Sequence, residues 1–421
     1  MICHSRLAGI LLNTGLCDRA TKKDSGRAGM TSPSCRSKLI CIFALFKHTM
    51  LYITRYTLLS IILITLTGCA TTDLETSNQQ SLGSTTGLVW PPSPQTGRIQ
   101  YIQSISGASD IGIKKSWFDK TIDSLFGKDE AVQTLLRPYG VFADSERIYV
   151  TDTGTRQLHI FDLREKKYFT ISKAGKEDFL SPICVAVDKN GDIYLSDSLM
   201  KRVFLLDKEG KYQKDIGSGD VFKRPAGIAI DEERLYVVDT HGHKVIVFSK
   251  KDGSFLYSFG KNGSGSGDFN YPTNIFIDKY GLIYVSDSMN FRVQIFDQRG
   301  HFISMFGKHG NGSGDFSKPR GIAVDSDGHV YVADALFDAV QIFDKDGRLL
   351  LAFGKTGRRN GHMILPAGLF IDEKDKIYVA DSYNKRVQIF QYLKEKGTMG
   401  QGATDSSGKH SPTRESTKPN Y

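Results

Sequence analysis

A unit of 43 to 47 residues recurs six times along this chain. Pro138, Pro182, Pro225, Pro272, Pro319 and Pro366 open the copies at steps of 44, 43, 47, 47 and 47 residues, accounting for six of the twelve prolines. After each proline comes a short apolar segment ending in Asp, such as Gly227-Ile-Ala-Ile-Asp231 or Gly321-Ile-Ala-Val-Asp325, and then a turn such as Asn190-Gly191 or Asp327-Gly328. A second segment of the Ile-Tyr-Val type closes on Asp152, Asp197, Asp239, Asp287, Asp334 or Asp381. A third, such as Val293-Gln-Ile-Phe296, leads into a fourth that ends at Phe259-Gly260, Phe306-Gly307 or Phe353-Gly354. Each unit reads as a four-stranded antiparallel meander.

Sheets with strands this short cannot bury both faces alone, whereas six of them packed face to face around an axis can. The period and strand count predict an all-β fold, a six-bladed β-propeller. The last unit supplies no fourth strand after Val387-Gln-Ile-Phe390, while Arg98-Ile-Gln-Tyr-Ile-Gln-Ser-Ile105 stands as an orphan strand before the first unit. Pairing the two ends closes the ring and removes an exposed edge. One segment departs from the repeat: Lys114 to Phe126 spaces Trp117, Phe118, Thr121, Ile122, Leu125 and Phe126 as a helix would, a cap on the ring or a partner-docking helix.

Tyr284-Val-Ser-Asp-Ser-Met-Asn-Phe-Arg-Val-Gln-Ile-Phe296 and the loop Gly263-Ser-Gly-Ser-Gly-Asp-Phe-Asn-Tyr-Pro272 resemble NHL-repeat propellers, over about residues 98–393. The resemblance implies the fold and leaves the chemistry open, because that family includes RNA-binding modules, ligand-sensing ectodomains and lyases.

The formal charge of +9 suggests nucleic acid until it is mapped. Residues 1–68 hold nine Lys/Arg against two Asp/Glu, and the remainder is nearly balanced at 46 basic to 44 acidic. The repeats therefore carry no general attraction for phosphate backbones, and no nucleic-acid partner is expected. The basic segment looks like a leader. From Met50 a basic n-region precedes an apolar run, Tyr56 to Thr67, too short to span a bilayer. Its ending, Leu66-Thr67-Gly68-Cys69, resembles the lipobox of bacterial lipoproteins, which implies an acylated Cys69 at the mature N-terminus. Ala70 follows, and in such lipoproteins the absence of Asp there permits transfer to the outer membrane.

The expected organisation is upstream translated sequence over 1–49, a signal peptide over 50–69, a Ser/Thr/Pro-rich tether over 70–97, the propeller over 98–393 and a disordered tail over 394–421. The expected location is the cell envelope, at the periplasmic face of the outer membrane.

In such a meander the Gly-rich loop before each proline and the turn after each strand-end Asp share one face of the disc. Four places after each Asp stand Arg156, Lys201, His243, Phe291, Asp338 and Lys385. Immediately after the prolines, toward the mouth of the central channel, stand Tyr139, Ile183, Ala226, Thr273, Arg320 and Ala367. The candidate ligand-binding residues are Tyr139, Arg156, Lys201, His243, Phe291, Arg320, Phe337, Tyr383 and Lys385. The repeated Asp residues read as turn formers that accept backbone N–H bonds. Arg202, Lys244, Arg292 and Arg386, five places after their Asp, read as structural partners.

No catalytic set and no cofactor site emerges. Propeller amidating lyases similar to this fold bind zinc through His residues on separate blades, and here His243 alone occupies the matching place, with His241 as a weak second ligand. Gly354-Lys355-Thr356 lacks the upstream Gly of a P-loop, and no Gly-x-Ser-x-Gly element sits between a strand and a helix. The sequence thus predicts a membrane-anchored binding or scaffold module for a protein, peptide or glycan. The alternative is a metal-assisted lyase or lactonase at the channel mouth.

Overall fold

The computed structural model describes residues 87–113, 134–217 and 219–394. The leader, most of the expected tether, the helical segment 114–126 and residues 395–421 lie outside the described residues.

Six antiparallel sheets form the ring. Blade 1 comprises Pro138–Ala143, Arg147–Asp152, Gln157–Asp162 and Lys167–Ile171, hydrogen-bonded in that order. Blades 2 to 5 repeat the meander from Pro182, Pro225, Pro272 and Pro319. Blade 6 takes Pro366–Ile371, Lys376–Asp381 and Arg386–Tyr392 from the end of the chain and Ile99–Ile105 from its beginning. Ile99 faces Tyr392 and Ile105 faces Val387 in that antiparallel pair, so the predicted closure is the observed one.

The first strand of each blade touches the first strand of the next, and that of blade 6 returns to blade 1. These inner strands approach so closely that only glycine fits at several points. A Cβ on Gly140 would lie 2.4 Å from the Ile183 carbonyl oxygen, and one on Gly368 would lie 2.4 Å from that of Tyr139. Second strands are covered on both faces by neighbouring blades, which is why Ile193-Tyr-Leu-Ser-Asp197 and Ile283-Tyr-Val-Ser-Asp287 are buried throughout. Fourth strands form the rim and carry exposed residues such as Phe255 and Ile303.

The tether ends earlier than the sequence suggested. Val89–Trp90 pairs with Ile99–Gln100 as a fifth strand of blade 6. The cause is packing: the Trp90 ring lies 6.0 Å from Phe353 and 5.9 Å from Phe390, and a Cβ on Gly361 would meet it at 2.6 Å. An apolar dipeptide before Pro91-Pro92 was the available signal, outweighed by the Ser/Thr/Pro composition around it.

Candidate functional site

The strand-end aspartates build the loop-rich face from beneath. All six are fully buried. Asp152 accepts backbone N–H bonds from Leu136, Arg137, Gly154 and Thr155, and Asp197 does the same for Leu180, Ser181, Leu199 and Met200. Each carboxylate thus ties the loop before its proline to the turn after its second strand. That is the role expected of a turn former.

The same turn forces an unusual backbone on the residue four places on. Arg156, Lys201, His243, Phe291, Asp338 and Lys385 all adopt left-handed conformations, with φ between 53° and 59°. A non-glycine residue there costs on the order of 1 kcal/mol, and the surrounding hydrogen bonds hold it. Because the conformation recurs in every blade, it is a property of the repeat and marks no single residue. Two of these side chains have a further task. Asp338 accepts the Leu365 N–H at 2.8 Å, and His243 Nδ1 accepts that of Tyr271 at 3.2 Å, so each fastens the start of the next blade.

At the axis the mouth is nearly closed. The Arg320 guanidinium lies 5.9 Å from the centre of the Tyr139 ring, a cation–π contact that joins blades 5 and 1. Beneath it is a cavity of about 10 Å3, room for one water-sized group, lined by Ile183, Thr273 and Ala367 among others. Cys184 and Asn274 line it too, beside Gly140, Gly227 and Gly368. Burial pushes the Cys184 thiol up to about 11, so it stays protonated at neutral pH.

Around that mouth the face is studded with apolar groups that the sequence reading largely missed. Two places after the strand-end Asp stand Leu199, His241, Met289, Leu336 and Tyr383, of which Leu199 is 63% exposed and Tyr383 61%. Leu136, Leu180, Tyr271 and Leu365, just before the prolines, are exposed beside them. Of the predicted residues, Arg156, Lys201, Tyr383 and Lys385 are exposed, while Tyr139, His243, Phe291, Arg320 and Phe337 are half-buried. Phe291 lies 4.3 Å from the His309 ring. Tyr139 and Arg320 meet; the others are spread around the ring.

His241 and His243 both stand against the Tyr271 ring, at 5.5 and 4.7 Å. His243 is engaged by Asn262 at 3.0 Å, and His241 lies 3.4 Å from the Arg224 guanidinium. Burial and that cation lower the His241 pKa. Among the described residues, no three His, Cys, Asp or Glu side chains group to hold a metal ion.

The opposite face is concave. A funnel of about 860 Å3 opens there, walled by Phe142, Ile230, Phe276 and Phe370 and rimmed by Asp144, Lys189, Glu232, Lys279 and Glu373. Phe142, Phe276 and Phe370 are half-buried there.

A family model described as DUF5128, 6-bladed beta-propeller, matches residues 219–282 and 279–338, and the NHL repeat model matches 364–390. The chain is an NHL-repeat six-bladed β-propeller. Protein brain tumor of Drosophila melanogaster is 30% identical over 129 residues, which are 29% of this chain and 12% of that protein. The NHL propeller therefore matches only a small part of that relative's length. A structural-genomics protein of unknown function from Bacteroides thetaiotaomicron has 18% identity and a TM-score of 0.51, over 70% of this chain and 75% of its own. A streptogramin B lyase has 13% identity and a TM-score of 0.48, over 62% of this chain and 94% of its own. Likeness at these identities is a likeness of fold.

Proposed function

We propose that this NHL propeller is a membrane-anchored periplasmic binding or scaffold module, tethered through a lipidated Cys69, that captures a protein, peptide or glycan on its loop-rich face. The supporting observation is the form of that face. Exposed apolar and aromatic side chains ring a mouth that Arg320 and Tyr139 nearly close. Such a surface suits a broad ligand that lies across it better than a small molecule that must enter. Aromatic anchors and Arg supply much of the energy at such faces, and a rigid ring loses little entropy on binding. The buried aspartates provide that rigidity.

The Arg320→Ala, Phe291→Ala double variant tests the reading. Crosslinked cell envelopes are expected to yield a partner with the wild-type protein and markedly less of it with the double variant, which is expected to stay folded by circular dichroism although it loses the Tyr139 and His309 contacts. Equal recovery would reject the face. Labelling with a radioactive fatty acid that is lost in Cys69→Ser tests the anchor, and an unlabelled wild type would reject it. The metal-assisted lyase or lactonase alternative predicts a stoichiometric metal on the purified protein, which elemental analysis decides.

A further inference from the structure

The exposed cations around the mouth are gathered on one arc of the ring. Each blade places two short turns there, one just before its proline and one just after its strand-end Asp. In blades 6, 1, 2 and 3 these turns hold Lys385, Arg137, Arg156, Lys201, Lys223 and Arg224, all of them exposed. Along the same arc stand Tyr383, Leu136, Leu180 and Leu199, which are 61%, 42%, 43% and 63% exposed. At matching places blade 4 has Tyr271 and Phe291, and blade 5 has the half-buried Lys318 and the buried Asp338.

These cations have no carboxylate of their own. None stands in the same turns of those four blades, and among the described residues none of the six cations pairs with an Asp or Glu. The strand-end carboxylates beneath the arc are buried and already bonded. Asp152, Asp197 and Asp239 accept backbone N–H groups, and Asp381 accepts the Ile364 N–H, Asn384 and Arg386. On the opposite face, by contrast, Lys189, Lys250 and Arg234 reach Glu232, Asp188 and Asp231. An exposed cation without an internal partner takes an external anion with no ion pair to break first, so the arc is complementary to negative charge.

We propose that this arc takes an acidic polypeptide in which carboxylates are interspersed with apolar side chains. The inference rests on the loop-rich face being the binding face and names the class of partner it takes. Carboxylates meet the guanidinium forks of Arg137, Arg156 and Arg224 and the ammonium groups of the lysines, while apolar side chains cover the leucines between them. The leucines decide against the other polyanions. Nucleic-acid bases and sugar rings gain their contact by stacking on flat aromatic faces, and Tyr383 is the one aromatic among the four exposed apolar side chains of the arc. Aliphatic groups set among cations suit a polypeptide that carries both charge and apolar surface.

The test uses the full chain and the peptide acetyl-(Glu-Leu-Asp-Phe)3-amide, with its Gln/Asn analogue, polyuridylate and hyaluronate as controls, read by calorimetry. The acidic peptide is expected to bind with an affinity that falls as salt rises, and the Gln/Asn analogue to bind weaker by about tenfold or more. The Lys201→Glu, Lys223→Glu variant is expected to lose about tenfold or more as well, while Lys374→Glu on the opposite face binds as wild type does. Leu199→Ser changes an exposed side chain without altering charge and is expected to weaken the peptide too, which keeps the test decisive if the charge reversal misfolds. No binding by wild type, equal binding of the Gln/Asn analogue, tighter binding of polyuridylate or hyaluronate, or undiminished binding in both the charge-reversed and the Leu199→Ser variants would each overturn the assignment. In crosslinked envelopes the two readings separate. A partner lost in Arg320→Ala, Phe291→Ala but fully recovered with Lys201→Glu, Lys223→Glu leaves the face standing and overturns the acidic partner.

Discussion

Deleting residues 98–105 removes the strand that closes blade 6, and its cost can be worked from the ladder it leaves. Ile99, Tyr101 and Ile105 are 0%, 3% and 0% exposed, and burying each such side chain contributes about 1.5–3 kcal/mol. The three together amount to roughly 5–9 kcal/mol, against a net stability of about 5–15 kcal/mol for a folded domain. The deletion also bares the hydrogen-bonding edge of Arg386–Tyr392, whose Phe390 is fully buried, and releases Trp90 from Phe353 and Phe390. The truncated chain is therefore expected to lose its cooperative unfolding transition or to melt at least about 10 °C lower, with light scattering showing association through the open edge. Ile105→Ala gives a graded version, at about 2–5 kcal/mol. Calorimetry or circular dichroism on the full chain and both variants reads the effect. A deletion variant that melts within about 2 °C of wild type would refute the reasoning, because the ring would then be held by something other than this strand.

The buried arginines and His159 give further expectations. Arg292→Ala leaves the buried Asp287 with one backbone N–H and the Asn290 and Gln294 amides but without its counter-charge, and is expected to cost about 3–5 kcal/mol, with Arg292→Lys a poor substitute for the planar fork. A denaturant midpoint unchanged in Arg292→Ala would contradict that role. His159 is fully buried between Thr155 and Tyr168, at 2.7 Å from each hydroxyl, and burial lowers its pKa to about 4. The unfolded chain takes up the proton first, at about pH 6.5, so stability is expected to fall as pH drops from there toward 4, by up to about 3 kcal/mol. His159→Gln, which copies Gln294 and Gln388, is expected to flatten that slope. A slope that survives the substitution would assign it elsewhere.

Much of this was legible in linear order, because the repeat states the same local rules six times. The prolines mark the inner strands, the aspartates mark the loops they tie down, and the missing fourth strand of the last unit points to residues 98–105. The structural duty of Arg292 and Arg386 was legible too, from their fixed distance to a buried Asp. Less of the candidate site was readable. The positions four after each Asp looked chemically varied and proved to share a strained turn, whereas Leu199, Met289 and Leu336 in the exposed ring passed as ordinary apolar residues and only Tyr383 was singled out. Apolar character in a sequence says that a side chain leaves water somewhere. It does not say whether a neighbour arrives to cover it.

By itself, then, the sequence determined the unit, the number of units and the way the ends meet, since strand alternation and turn chemistry act over a few residues and repetition multiplies them. Tertiary structure alone decided what the ring exposes. Arg320 reaches Tyr139 only because closure brings the fifth blade back toward the first. Phe142 and Phe370, with ring centres 4.6 Å apart, line a funnel only because six twisted sheets spread as they pass along the axis. Such contacts join residues far apart in the chain, and short-range rules cannot place them.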